Sequence, residues 1–298
     1  MKRHSSAMSV LVDILIYSSF GIFTLMCVFP FYYMFINTIS DNDLVSAGKI
    51  LLVPKGVHFR NYISVFQLRG LGRTAFISFA RTSLGTLLTL IGSSFLGYVF
   101  CRREMWKRRF WSRLVVVTMF FHAGLIPWFV TMKMLGMVNN FLAYIVPSMV
   151  APFYVVLFKT FFEQIPSSLE ESAQMDGAGY LLRFVRIVIP VSLPILATIA
   201  IFSSVTQWNS FQDTLFLMRS SRLYTLQFQL YQYLNEVNSI AETMRSSPSA
   251  RFIDPSRLLT PTAIRMTISI VVVFPILLVY PFFQRYFVKG IMIGAIKG

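Results

Sequence analysis

The sequence predicts an all-α membrane protein with six transmembrane helices, and three observations carry that prediction: a scarcity of charge, six long apolar stretches, and the placement of arginine and lysine between them. Of 298 residues, 55% are hydrophobic and only 13% charged, with a mean hydropathy of +0.64, whereas soluble domains carry about 25% charged residues. A helix needs about 20 mostly apolar residues to cross roughly 30 Å of hydrocarbon. Stretches of that kind run over 11–37, 74–100, 114–134, 139–162, 187–208 and 262–285. The first is too long for a signal-peptide core and lacks a small-residue cleavage site, so it is read as an uncleaved helix. The loop after the second stretch holds Arg102, Arg103, Lys107, Arg108, Arg109 and Arg113 against Glu104 alone. Short basic loops stay in the cytoplasm. Alternation then places both termini inside, with Lys2, Arg3, Arg285, Lys289 and Lys297. The predicted outer segments 38–73 and 209–261 also carry Arg and Lys, but long translocated loops follow the charge rule weakly.

The net charge of +15 is therefore read as topology signal and lipid head-group contact, since a nucleic-acid binder does not expose this much apolar surface. Cys27 and Cys101 lie in or beside apolar stretches, which argues against a disulfide framework or a thiolate metal site. His4, His58 and His122 have no metal-ligand spacing. His122 reads as a core histidine bonded to a neighbouring helix, with a place on the transport pathway as the alternative. No G-x-x-x-x-G-K-[ST] phosphate loop occurs, so the chain is not expected to bind ATP, and no catalytic residues are assigned.

In the second stretch Gly85, Thr89, Ser93 and Gly97 recur every fourth residue. That spacing stacks small side chains on one helix face, where another backbone can approach closely. Arg81 begins the same row one turn earlier. It is read first as an interfacial arginine reaching the outer surface, and alternatively as lining a polar mouth. Pro127, Pro147, Pro152, Pro190, Pro194, Pro275 and Pro281 should kink the later spans. Lys159 and Glu163, one turn apart, should pair.

Segment 163–186 is polar. Ser167-x-x-Glu170 and Ser168-x-x-Glu171 have capping-box spacing, and Gly177 suits a left-handed helix end before a second short helix at about 179–186. Physics alone gives an exposed helix–Gly–helix between two spans, compatible with an ordinary interfacial hairpin. The residues say more. Glu171-Ser172-Ala173, Asp176-Gly177-Ala178, Phe184 and Ile189-Pro190 resemble the EAA loop of ABC-importer permeases, in the form used by the carbohydrate-uptake branch; Ser172 departs from the usual alanine. Pro54 with Asn61-Tyr62, Trp208-Asn209, and the tail QRYFVKGIMIGAIKG extend the resemblance along most of the chain. It is closest in flavour to the smaller maltose-importer permease and to importers of polysaccharide fragments, alginate importers among them.

The resemblance implies a type I importer permease in a bacterial plasma membrane, built as a single domain. A second homologous permease, two ATPase subunits that hold ATP and Mg, and an extracytoplasmic binding protein would be its partners, and an oligosaccharide its cargo. This chain itself would hold no cofactor and no metal. Glu170, Glu171, Ser172, Ala173, Asp176 and Gly177 would form the ATPase-coupling helix. Arg81, Gln207, Trp208 and Asn209 are the candidates for the substrate pathway, and Tyr224, Tyr231 and Tyr233 for contact with the binding protein. Arg219, Arg222, Arg245, Arg251, Arg257 and Arg265, with Arg81, make the outer side basic. Basic groups there favour either anionic cargo such as uronic-acid oligosaccharides or an acidic binding protein. The rival readings are a permease of the same architecture for amino acids or peptides, an ion-coupled carrier, and a membrane sensor or scaffold. The carrier would need discontinuous helices around a midplane ion site, and the spans lack paired midplane acids.

Overall fold

The computed structural model describes residues 7–68, 70–121, 123–235 and 262–295, and every regular element among them is helical. They fall into two compact units, 1–69 with 232–274, and 70–231 with 275–298.

In the first unit α1 (Ala7–Thr38) is apolar on all sides, and its side chains from Val10 to Tyr32 are exposed. A helix of this kind is suited to lipid or to another helix. Its end is tied by polar groups. Asn61 Nδ2 donates to the Thr38 carbonyl (2.9 Å), Tyr62 OH meets Thr38 Oγ1 (2.9 Å), and Ser40 Oγ donates to the Ile36 carbonyl (2.6 Å). Asn61 and Tyr62 belong to α3 (Arg60–Phe66), so this pair closes the C-terminal end of α1. Between them α2 (Asn42–Ser46) is capped by the Asp41 carboxylate. Ile36, Val45, Ile50 and Ala263 form the small core here; Ala263 lies in α15, which runs Thr262–Ala295.

The second unit is organised around α4 (Leu71–Cys101). Its row of small residues is buried and takes other chain segments at contact distance. Thr89 Oγ1 donates to the Ser148 carbonyl (2.8 Å), Ser93 Oγ accepts from the Ala151 N–H (3.2 Å), and Gly97 faces Phe158 and the backbone of Val155 and Lys159. Small side chains are required because the approach is set by backbone.

Three apolar stretches that read as single spans are interrupted. Stretch 114–134 falls into α5 (Arg108–Thr118) and α6 (Leu125–Met134), parted before Gly124, which sits at φ +87°. Stretch 139–162 gives α7 (Leu142–Ile145) and α8 (Pro152–Phe162). Ala151 between them is extended (φ −105°, ψ 116°), as a residue before proline prefers. Further on, α10 (Tyr180–Arg183), a π turn (Phe184–Val188) and α11 (Ile189–Val191) lead to α12 (Leu193–Asn209), with a bend of 83° at Ser192. Pro190 and Pro194 each lack the N–H that would continue the ladder. Among the described residues Val10–Thr38 and Leu71–Cys101 are unbroken helices long and apolar enough to cross a membrane, the bent pair counts as a third, and Leu125–Met134, Pro152–Phe162 and Thr262–Leu278 are shorter apolar helices.

The stretch after α12, expected to be a polar loop, is instead a folded cap over 210–231. It comprises α13 (Gln212–Leu217), a short turn at Ser221–Leu223 and the start of α14 (226–235). Thr214, Leu217, Thr225, Leu226, Phe228 and Leu230 are buried. The cap is laced to α4: Ser78 Oγ accepts from the Leu226 N–H (2.8 Å) and Thr74 Oγ1 donates to Gln229 Oε1 (2.9 Å). From the other side Asn139, in the left-handed region at φ 57°, accepts the N–H groups of Arg219 and Ser220 on its side-chain oxygen (3.3 and 2.9 Å). Asn139→Ala is expected to cost about 1 kcal/mol through these bonds and the left-handed backbone. A thermal midpoint unchanged from wild type would count against that role.

Candidate functional site

The polar segment singled out in the sequence forms α9 (Ser167–Met175). The predicted capping boxes do not form. Pro166 occupies the cap position and makes no side-chain cap bond, so Ser167 and Ser168 already lie within the helix, and the Ser168 carbonyl instead accepts from Ser172 Oγ (2.9 Å). The other end is closed by glycine. Gly177 takes φ +80°, its N–H meets the Gln174 carbonyl (3.0 Å), and the Ala178 N–H meets the Ala173 carbonyl (2.9 Å). This pair of bonds is a Schellman closure, and it needs the left-handed residue.

The two adjacent carboxylates part company. Glu170 turns inward, where Arg102 grips both its oxygens (Nη1–Oε2 2.6 Å, Nη2–Oε1 2.7 Å) and Tyr98 OH donates to Oε2 (3.1 Å). The Arg102 guanidinium also lies over the Tyr98 ring at 4.2 Å. Burial works against the Arg102 charge, but the hydrogen bond with Glu170 and the nearby Tyr98 outweigh it and raise its pKa above the ordinary value. Glu171 faces outward with Ser172, Met175, Asp176 and Gly177, while Ala173 is half-buried. Behind this face Arg183, itself buried, donates to Gln174 Oε1 (2.9 Å) and lies over the Tyr180 ring at 4.5 Å. Phe184 packs on Tyr98 (5.0 Å between ring centres). Nearby, Glu163 accepts from Lys159 (3.1 Å), as the spacing predicted, and from Arg108 (3.0 Å).

At the opposite end of α4 a second polar network forms. Arg81 is only 3% exposed, which overturns the reading of a surface-reaching arginine. Its Nε donates to Gln207 Oε1 (3.0 Å), Nη1 to the Ser210 carbonyl and to Asp213 Oδ1 (3.0 Å each), and Nη2 to Asp213 Oδ2. Tyr144 stacks beneath it at 4.6 Å. Gln207 in turn donates to Ser148 Oγ (2.6 Å). Asp213 neutralises Arg81, so Arg81 adds no free charge to the surface at this end of α4. Of the other pathway candidates, Trp208 is half-buried and Asn209 exposed. Tyr231 is stacked on Phe211 (4.6 Å), Tyr224 meets Phe228 edge to face (4.7 Å), and Tyr233 is half-buried. His122, Arg245, Arg251 and Arg257 lie outside the described residues. Among the described residues no group of three or more His, Cys, Asp or Glu side chains is placed to hold a metal.

Tyr98, Arg102, Arg183 and Asp213 were not singled out from the sequence for these roles. Arg102 read only as one topology-setting charge among six, and Asp213 was not marked at all. Nothing in local spacing marks either one, because each partner is more than 60 residues away.

The family model described as the binding-protein-dependent transport system inner membrane component matches residues 93–293, which include α9 and the whole 210–231 cap. The chain belongs to this permease family. Across 97% of its length and 99% of the relative's, the permease is 34% identical to the polygalacturonan/rhamnogalacturonan transport system permease protein YtcP of Bacillus subtilis. It is 28% identical, over the full length of both chains, to the arabinooligosaccharides transport system permease protein AraQ of Halalkalibacterium halodurans. A crystal structure of a bacterial ABC transporter involved in the import of the acidic polysaccharide alginate contains a chain that superposes with a TM-score of 0.84 at 26% identity, covering 96% of this permease and 100% of that chain. The fold is thus that of an ABC-importer permease.

Proposed function

We propose that this permease is the translocation subunit of an ATP-driven oligosaccharide importer and that α9 is the element an ATPase subunit pushes. One observation carries the reading. The helix is closed by a Schellman turn and held from behind by Arg102 and Arg183, yet it presents Glu171, Met175 and Asp176 outward. A lever must be stiff and must leave a face for its driver, and α9 has both properties. In this arrangement Glu170 is a positioning residue, and Glu171, Ser172, Asp176 and Gly177 are left for the partner. The basic 102–113 segment then faces the cytoplasm with both termini, and the 210–231 cap faces outward toward a binding protein. A second permease, two ATPase subunits and that binding protein complete the machine, and ATP and Mg reside on the ATPase subunits.

Uronic-acid oligosaccharides are the cargo class best supported. Arg219 and Arg222 on the cap are exposed and make no ion pair among the described residues. The name of YtcP gives polygalacturonan and rhamnogalacturonan as its substrates, and the transporter in the crystal structure is involved in the import of the acidic polysaccharide alginate.

The test purifies the complex through a tag on this chain, reconstitutes it with its binding protein, and measures ATP hydrolysis. Galacturonate and mannuronate oligomers are compared with arabinose oligomers of equal length. We expect the acidic oligomers to stimulate hydrolysis. Glu171→Ala and Gly177→Asp should remove most of that stimulation without loss of assembly; at Gly177 the left-handed backbone costs any side chain about 1–2 kcal/mol. Full stimulation in both variants would reduce α9 to a connector. Equal stimulation by neutral oligomers would discard the acidic cargo.

A further inference from the structure

We propose that the Arg102–Glu170–Tyr98 knot is the joint through which movement of α9 reaches α4, making these three positioning residues for energy coupling. The inference rests on the reading of α9 as the driven element and adds the route by which its motion is transmitted.

The covalent route onward from α9 is a poor transmitter. Downstream it passes a glycine turn, a π turn and an 83° bend before reaching α12. The non-covalent route is direct. Arg102 follows the last residue of α4, and Glu170 lies in the first turn of α9, 68 positions away in sequence. Two parallel N–H···O bonds of 2.6 and 2.7 Å fix both distance and orientation, as the planar guanidinium fork does against a carboxylate. The Tyr98 hydroxyl adds a third tie, and its ring, 2% exposed, supports the guanidinium from below. With side-chain exposures of 21% for Arg102 and 12% for Glu170, the pair is sheltered from the screening that weakens surface ion pairs.

The load on this joint is α4 itself, 31 residues long, about 46 Å. Its small-residue row seats α8, and its outer end holds the cap through Arg81, Ser78 and Thr74. Displacing α4 at Arg102 therefore displaces the unit's central rod and the ties to its outer cap together.

A purely structural ion pair would lower assembly and activity in proportion. The joint instead affects how much work each ATP performs. In proteoliposomes carrying the tagged complex, with a galacturonate oligomer as probe, Glu170→Gln and Arg102→Lys should assemble and hydrolyse ATP while sugar imported per ATP falls at least about fivefold. Normal assembly with a wild-type import ratio in both variants overturns the proposal. A second measurement leaves the joint intact. Spin labels at Ser168→Cys and Arg103→Cys, both exposed positions, are placed in a chain with Cys27 and Cys101 replaced by serine. Their separation should stay the same with and without a non-hydrolysable ATP analogue; a change of several ångströms, α9 sliding over α4, overturns it. The two readings fail separately: an inert Glu171→Ala removes the lever itself, whereas an uncoupling Glu171→Ala beside a fully coupled Glu170→Gln removes only the joint.

Discussion

Asp213→Ala is expected to be among the most damaging single substitutions in this permease, lowering stability by about 3–5 kcal/mol. Arg81 is 3% exposed and gives two of its nitrogens to Asp213. Removing the carboxylate strands a buried guanidinium among Tyr144, Gln207 and the backbone of Ser210 without its charged partner. Detergent-extracted complex should drop in yield and unfold many degrees lower. The pair as a whole is worth less than either half, since taking two charges out of water cancels much of their attraction. The double variant Arg81→Met/Asp213→Leu should therefore be milder than either single removal. A wild-type unfolding temperature for Asp213→Ala would show that the network contributes nothing to holding the cap.

The second large effect is steric. A methyl group built on Gly97 would lie 2.8 Å from Phe158 Cβ, 3.1 Å from the Lys159 nitrogen and 3.1 Å from the Val155 oxygen. Two of those three neighbours are backbone, and Phe158 is fully buried, so no flexible side-chain end can step aside. Gly97→Val should force α8 off α4 and cost about 3 kcal/mol, the upper part of the range for overpacked interiors. Gly21 in α1 is the control, where an added methyl would meet nothing within 4 Å; Gly21→Ala should be neutral in the same thermal assay. Gly85 falls between them. Its methyl would meet Gln207 Nε2 at 2.5 Å, and that amide is movable but engaged with Arg81 and Ser148. If Gly97→Val and Gly21→Ala melt together, the small-residue row does not set the helix spacing.

Much of this is legible in the order of residues. The every-fourth-residue row Gly85, Thr89, Ser93, Gly97 is a one-helix pattern, and it reports a close-packed face whatever that face meets. Gly177 is similar, because a left-handed helix end is written in the residue that must adopt it. The Lys159–Glu163 pair is local too, one turn apart. Where local chemistry offers several solutions, sequence reasoning goes astray. Ser167 and Ser168 have the right spacing for a cap, but Pro166, one residue earlier, takes that position. Arg81 has a sound interfacial explanation until Asp213, 132 positions away, is seen to hold it.

By itself, then, the chain's order of residues determined what depends on solvent and on neighbours within about one turn: an all-helical membrane chain, the small-residue face of α4, the short polar helix with its glycine stop, and the motif that places it among importer permeases. Tertiary structure alone decided which of two adjacent glutamates turns inward, that Arg81 is buried and paired with Asp213, and that 210–231 is a folded cap. The physical reason is the same in each case. A charge or a hydroxyl in a low-dielectric interior takes its role from the partner that satisfies it, and here those partners arrive from 68, 132 and 148 residues away.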